Sequence, residues 1–133
     1  MKHLRILVVL VFVFLVSTEV WSQKATRINF SKNATATTIS GNLKSYADKK
    51  VFVIKVRRGQ TLTAEQIISK TSTNYVTVSI KDPSGETVGD EDASCNSSQE
   101  AAPTVAGDYT ITVVECQKAD AWNGSFRLRV AVK

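Results

Sequence analysis

The sequence predicts an all-β protein, a single antiparallel β-sandwich of about seven to eight short strands. Apolar and polar residues alternate with a period of two in nearly every segment, and turn residues separate these segments at short intervals. No segment keeps a helical period of 3.6 residues. About 110 residues follow the apolar N-terminus, which is enough for one hydrophobic core. A closed barrel is the alternative arrangement of the same strands.

The N-terminus has the layout of a secretory signal peptide. A basic start at residues 2–5 precedes an apolar run at 6–16 and a small-residue cleavage pattern at 20–22. The apolar run is short for a membrane span, so an uncleaved anchor is the less favoured interpretation. We therefore predict a signal peptide over 1–22 and a β-sandwich domain over 23–133. The mature protein would be secreted or periplasmic, with no membrane segment left after cleavage.

Four strands are predicted in the first half of the domain. In the third, Phe52, Ile54 and Val56 share one face, and in the first Ile28 and Phe30 do so. AEQIISKT resembles a helical turn, but its β-branched neighbours favour a strand. The four segments are RINFS (27–31), ATTISGNL (36–43), KVFVIKV (50–56) and TLTAEQII (61–68).

Three further strands complete the pattern. A turn at 82–85, DPSG, ends the first of them, because Pro presets φ and Gly takes the left-handed position. In the last of them Arg127 and Arg129 alternate with buried apolar residues and so point outward. The three segments are YVTVSIKD (75–82), GDYTITVVE (107–115) and SFRLRVAVK (125–133).

The two cysteines of the chain predict a disulfide. Cys95 and Cys116 both lie in the exported part, and an even pair in an oxidising compartment is most simply bridged. The bridge would close a loop of roughly 20 residues and stabilise the fold by roughly 3 kcal/mol in the chain-entropy model. It would attach a long loop to the sheet.

The residue inventory argues against catalysis. His3 is the only histidine and lies in the predicted signal peptide, so the mature chain lacks the usual base of serine and cysteine nucleophiles. Asp90, Glu91 and Asp92 are consecutive in a Gly-flanked turn, where carboxylates normally point into water rather than pairing as in glycosidases. We predict a non-enzymatic protein with no cofactor and no metal site. Calcium binding by these three carboxylates stays an open alternative.

The charge pattern and the glycosylation sequons give little information about a partner. The formal net charge is +5, but the basic residues are scattered and form no stripe with aromatic platforms, so no nucleic-acid partner is predicted. Asn-x-Ser/Thr sequons allow glycosylation if the host modifies secreted proteins. They lie at Asn29, Asn33, Asn96 and Asn123.

The ordered series SGNLKSYADKKVFVIKVRRGQTL, VTVSIKDPSGETV, GDYTITVVE and FRLRVAV resembles the small β-sandwich of two related bacterial groups. One is the pre-peptidase C-terminal domain, and the other is the periplasmic inhibitor of goose-type (g-type) lysozyme, which is similar along its mature length. The resemblance covers roughly residues 26 to 133.

The resemblance to the inhibitors implies two loops that enter the cleft of the lysozyme. The tyrosine of the first loop falls on Tyr46, and the second loop is CQKADAWNGS, before the last strand. That loop offers Lys118, with Asp120 and Trp122 beside it, where the family has arginines. A lysine cannot make the planar bidentate contact of an arginine with a carboxylate.

Two other function classes stay open from the residues. Trp122 could serve a carbohydrate- or cell-surface-binding module as a stacking platform, or it could cap the end of the sandwich. Tyr46 could equally lie over its own sheet. The third class is a structural domain whose partner is another envelope protein. A free-standing module with its own signal peptide favours the inhibitor.

Overall fold

Nine strands and no helix make up the part of the chain that the computed structural model describes, residues 24–89 and 95–133. The signal peptide predicted at 1–22 and the acidic turn Asp90–Asp92 lie outside these residues. The strands are β1 Thr26–Arg27, β2 Ala36–Leu43, β3 Lys49–Val56, β4 Leu62–Gln66, β5 Val76–Lys81, β6 Thr87–Val88, β7 Ser98–Ala101, β8 Gly107–Glu115 and β9 Gly124–Val132.

The strands form two sheets, which confirms the predicted sandwich and not the barrel. One sheet has the order β1-β3-β8-β5-β6, and the other has the order β2-β9-β4-β7. Every pair is antiparallel except the short parallel pair of β1 with β3. Among the described residues, no helix is long and apolar enough to cross a membrane.

The core fills the space between the two sheets, as the alternation predicts. Each long strand contributes every second residue, so burial alternates along β5, β8 and most of β9, whose last three residues are all buried. The side chains of Arg127 and Arg129 are exposed as predicted. The largest apolar side chains with less than 2% exposure are Leu43, Leu62, Val76, Val78, Ile80, Ile111, Val113, Leu128 and Val130.

The predicted strand bounds hold for β2 and β8, and elsewhere they shift. The strand predicted at 27–31 is wrong in length, because β1 ends at Arg27, although Ile28 is buried and still bonds to Val53. The strand predicted at 61–68 ends at Gln66. The side chain of Gln66 donates to the Asn74 carbonyl at 2.7 Å and accepts the Val76 amide at 3.1 Å, so it ties β4 to the start of β5.

The predicted disulfide is present. Cys95 and Cys116 are joined, with their Cα atoms 4.5 Å apart and a sequence separation of 21. The amide of Cys95 also donates to the hydroxyl of Thr77 on β5 at 2.8 Å. The bridge therefore attaches the segment before β7 to the end of β8, beside the loop that leads to β9.

Candidate functional site

Two loops that are far apart in sequence lie side by side at one end of the sandwich. Loop A, residues 44–48, joins β2 to β3, and loop B, residues 116–123, joins β8 to β9. The sheet registers bring them together, because Leu43 pairs with Gly124 in one sheet and Lys49 pairs with Val114 in the other. Each loop thus starts in one sheet and ends in the other at the same end of the molecule.

Loop A is shaped by the carboxylate of Asp48. One oxygen accepts the amide of Lys44 at 2.9 Å, and the other accepts the amide of Lys49 at 2.9 Å. The bond from the Lys44 amide is the main reason that the pKa of Asp48 lies below its ordinary value, and the nearby ammonium of Lys50 at 3.8 Å contributes in the same direction. The carboxylate therefore closes the loop into a defined turn that presents Tyr46.

Tyr46 connects the two loops. Its hydroxyl donates a hydrogen bond to the carbonyl of Ala119, and the side-chain amide of Gln117 donates to the carbonyl of Tyr46 at 3.4 Å. The ring is half-buried. Tyr46 is therefore in part a structural residue, as well as a candidate contact.

Trp122 is anchored from both its backbone and its ring. It is half-buried and packs against the core. The indole Nε1 donates to the carbonyl of Tyr75 at 3.2 Å, and the backbone amide donates to Oε2 of Glu115 at 3.4 Å. Glu115 is fully buried, and its Oε1 has no hydrogen-bond partner among the described residues. The ring is thus held in one orientation at the end of the sandwich.

A groove of about 640 Å³ opens between loops A and B. Its walls are formed by side chains from both loops, including the rings of Tyr46 and Trp122 and the side chain of Lys44. The residues that line it are Lys44, Ser45, Tyr46, Ala47, Ala121, Trp122 and Asn123.

The four predicted contact residues therefore divide into two pairs. Tyr46 and Trp122 line the groove together, although their sequence separation is 76. Lys118 and Asp120 are exposed in loop B but do not line the groove. They stand beside it, where a bound partner could reach them.

Three residues of this end were not identified from the sequence as part of the site: Tyr75, Ile67 and Glu115. Tyr75, which is 43% exposed, lies against Trp122 through its backbone, and Ile67, at 38%, is exposed just after β4. Tyr75 directly precedes the buried Val76, so the alternation of β5 places its side chain on the other face of the sheet. Its exposure could therefore have been predicted from the sequence. The alternation of β8 also places Glu115 on the buried face, but the Trp122 amide that bonds to it comes from the following loop and does not follow from the pattern.

The described residues hold no cluster of three or more histidine, cysteine, aspartate or glutamate side chains that could bind a metal ion. The acidic turn considered for calcium lies outside them. What the arrangement offers is a preformed, mostly neutral groove with two fixed aromatic rings. Such a groove is suited to recognition of a protein or a sugar.

Comparison with known proteins gives structural matches only. No protein-family model matches the chain, and no curated protein sequence matches it significantly. The structure is similar to PliG of Aeromonas hydrophila, a periplasmic inhibitor of g-type lysozyme, with a TM-score of 0.62 at 17% identity, over 82% of this chain and 96% of that one.

Two further solved structures are similar. PliG of Salmonella Typhimurium gives a TM-score of 0.59 at 15% identity, over 84% of this chain and 100% of that one. The pre-peptidase C-terminal domain of a collagenase from Bacillus anthracis gives 0.53 at 18% identity, over 84% and 97%. The chain therefore has the β-sandwich fold that the PliG lysozyme inhibitors and this pre-peptidase C-terminal domain share.

Proposed function

We propose that the mature protein is a secreted or periplasmic, non-enzymatic inhibitor of g-type lysozyme that inserts loops A and B into the enzyme cleft. The observation that carries the proposal is the groove between these loops, with Tyr46 and Trp122 fixed on its two sides. The similarity to PliG inhibitors over nearly their whole length supports it.

The rigidity of the loops suits such a role. Association loses less free energy when the binding loops are ordered beforehand, and here three contacts order them: the carboxylate of Asp48, the hydroxyl of Tyr46 and the indole of Trp122. Aromatic residues at the centre of an interface commonly supply most of its binding energy. Tyr46 and Trp122 would take this place.

The exposed charges would orient the complex. Lys118 stands on loop B and Lys44 on the rim of the groove, where an ammonium could meet a carboxylate of the cleft. A pair formed where water is excluded fixes orientation as much as affinity. Lysine offers a point charge and not the planar fork of arginine, so we expect Lys118 to contribute less than the aromatic pair.

The test is a titration of residues 23–133, with the disulfide formed, against a g-type lysozyme clearing bacterial cell walls, with hen-type lysozyme in parallel. We expect selective loss of g-type activity near stoichiometric protein. Tyr46→Ala, Trp122→Ala and Lys118→Ala should weaken it, whereas the matched control Lys81→Ala, an exposed lysine on β5, should not. Full activity of both enzymes at micromolar protein would contradict the proposal.

A carbohydrate- or cell-surface-binding module is the second candidate. The favouring observation is that the same groove carries two aromatic rings, which sugars use as stacking surfaces. Binding of the purified domain to insoluble cell-wall polysaccharide, lost in Trp122→Ala and without any effect on lysozyme, would support it. One preparation of the protein, tested for lysozyme inhibition and for polysaccharide binding, therefore distinguishes the two candidate functions.

A further inference from the structure

The edge strand β2 differs from the other strand edges of the sandwich. It is eight residues long and forms the end of its sheet, whereas the other edges β1, β6 and β7 have two, two and four residues. Its sequence, ATTISGNL, contains no charged residue and no proline. Proteins usually protect long edges with charges, proline or bulges, because an unprotected edge pairs readily with another strand.

The register shows which backbone groups of β2 are unused. The amide of Val132 donates to the carbonyl of Thr35 at 2.8 Å, one step before the pair of Ala36 with Ala131. Because bonding alternates in an antiparallel ladder, the even-numbered residues of β2 point their N–H and C=O groups away from β9. Among the described residues these groups make no hydrogen bond. The four residues are Ala36, Thr38, Ser40 and Asn42.

We propose that β2 is a homodimer interface, at which a second copy of this chain pairs antiparallel with β2 about a twofold axis through Ile39. In this register Ala36 pairs with Asn42 of the other copy, and Thr38 pairs with Ser40. Every outward N–H and C=O group of both strands then gains a partner. A slip of one residue would place these groups opposite backbone groups that are already bonded to β9.

The side chains and charges around this edge fit a second copy. Ile39 is half-buried and lines a cavity of about 280 Å³ between β1 and β2, together with Ile28 and Phe52. The cavity is also lined by polar residues, Thr26, Arg27, Asn29, Thr37 and Ser40. The twofold axis would bring the two Ile39 side chains together over its apolar part, which would bury them further.

Two cations beside the edge already have carboxylate partners. The guanidinium of Arg27 makes two hydrogen bonds with Asp108, at 3.1 and 2.8 Å, and Lys50 lies 3.8 Å from Asp48. Repulsion between copies is therefore reduced at this edge. Because β2 would run antiparallel to its mate, the two loop grooves would lie at opposite ends of the dimer and both stay open.

Sedimentation equilibrium of residues 23–133 over rising protein concentration tests the proposal. We expect a monomer–dimer equilibrium that Ser40→Lys weakens by about tenfold or more, because the two introduced lysines would be diagonal neighbours on one face across the twofold axis, each opposite Thr38 of the other copy. Ser98→Lys, the same change at an exposed position of the opposite edge β7, is the matched control and should leave the equilibrium unchanged. The proposal would be overturned if the wild-type protein stayed monomeric at concentrations up to about 1 mM. It would also be overturned if Ser40→Lys and Ser98→Lys weakened the dimer equally.

Cross-linking tests the register itself. Ile39→Cys places two cysteines on the axis in a non-hydrogen-bonded pair, whose Cα separation of about 4.5 Å permits a disulfide. Thr37→Cys, on the same face of β2, would oppose Gly41 and should not cross-link. Equal cross-linking of both variants under mild oxidation would exclude the register. The proposal is independent of the lysozyme target, since neither assay contains an enzyme.

Discussion

The hydroxyl of Tyr46 donates a hydrogen bond to the backbone carbonyl of Ala119, 73 positions further along the chain. This bond joins loop A to loop B. The side-chain amide of Gln117 reaches back to the carbonyl of Tyr46 at 3.4 Å and reinforces the connection. The two loops therefore form one unit, and a change at Tyr46 acts on loop B as well.

Tyr46→Phe should loosen loop B while it keeps the aromatic ring in the groove. The variant loses one hydrogen bond, so we expect the free energy of unfolding to fall by about 1 kcal/mol. Backbone amides at 117–121 should exchange with deuterium faster. Tyr75→Phe is the matched control, because the hydroxyl of Tyr75 makes no hydrogen bond among the described residues. Unchanged exchange at 117–121 in Tyr46→Phe would show that the bond does not order the loop.

Loop A should lose its order at low pH through Asp48. The hydrogen bond from the Lys44 amide, aided by Lys50, lowers the pKa of Asp48 in the folded protein. A lowered pKa contributes stability that is fully present above the ordinary value of 3.8 and is lost as pH falls through the lowered value. The Lys44 amide resonance, followed by NMR, should therefore shift below pH 3.8.

The control for this titration is the other acidic residue of the two loops. Asp48→Asn should abolish the shift of the Lys44 amide, whereas Asp120→Asn should preserve it, since Asp120 accepts no hydrogen bond among the described residues. A Lys44 resonance that titrates identically in both variants would assign the transition to another group.

The alternation of side chains was enough to predict most of the sheet framework. Long strands such as β8 and β9 carry it over many residues, and burying one face of each requires a second layer. The short strands β6 and β7 were missed, since two to four residues contain too little of the pattern. They form because β5 pairs with β6 and β4 pairs with β7, so they depend on tertiary structure and not on their own sequence pattern.

The site was only partly readable for a related reason. Tyr46 and Trp122 were each identified in their own loops, but their shared groove depends on the registers of two different sheets. Local sequence does not specify such a register between distant strands. Tyr75 and Glu115 were interpreted as ordinary strand ends. Their roles depend on hydrogen bonds from Trp122, which lies in loop B and approaches them only in the folded structure.

Glu115→Gln should stabilise the fold or leave it unchanged. The carboxyl group is fully buried, with one oxygen accepting the Trp122 amide and the other lacking a partner among the described residues. Glutamine keeps the shape of the side chain without a carboxyl group that is costly to bury, so we expect the free energy of unfolding to stay the same or to rise by up to about 1 kcal/mol. Urea unfolding gives the measurement.

Glu65→Gln, at an exposed position on β4, is the control for Glu115→Gln and should change stability by less than about 0.5 kcal/mol. A loss of several kcal/mol in Glu115→Gln alone would mean that the charge itself is required at this place. The fluorescence maximum of Trp122 should stay in place if the amide bond to residue 115 survives.

Removal of the disulfide should lower stability without changing the fold. Cys95 and Cys116 enclose a loop of 21 positions, for which the chain-entropy model gives about 3 kcal/mol. The double variant Cys95→Ala/Cys116→Ala should therefore unfold at lower urea concentration with the same far-ultraviolet circular dichroism. Wild-type protein under reducing agent is the control and should match it. A double variant as stable as the oxidised protein would contradict the prediction.

Gly41→Ala should destabilise the sandwich through its neighbour Phe126. The two residues are cross-strand partners, and a Cβ added at Gly41 would lie 2.5 Å from Cζ of the Phe126 ring and 2.7 Å from Cε1. Because Phe126 is buried and packs edge-on against Phe52, the ring cannot move freely, so we expect a loss of about 2 kcal/mol in thermal or urea unfolding. Phe126→Leu removes the clash, and the double variant should be more stable than the sum of the single changes implies. If the stability changes of the two single variants simply added in the double variant, the requirement for Gly41 would come from its backbone conformation and not from the clash with Phe126.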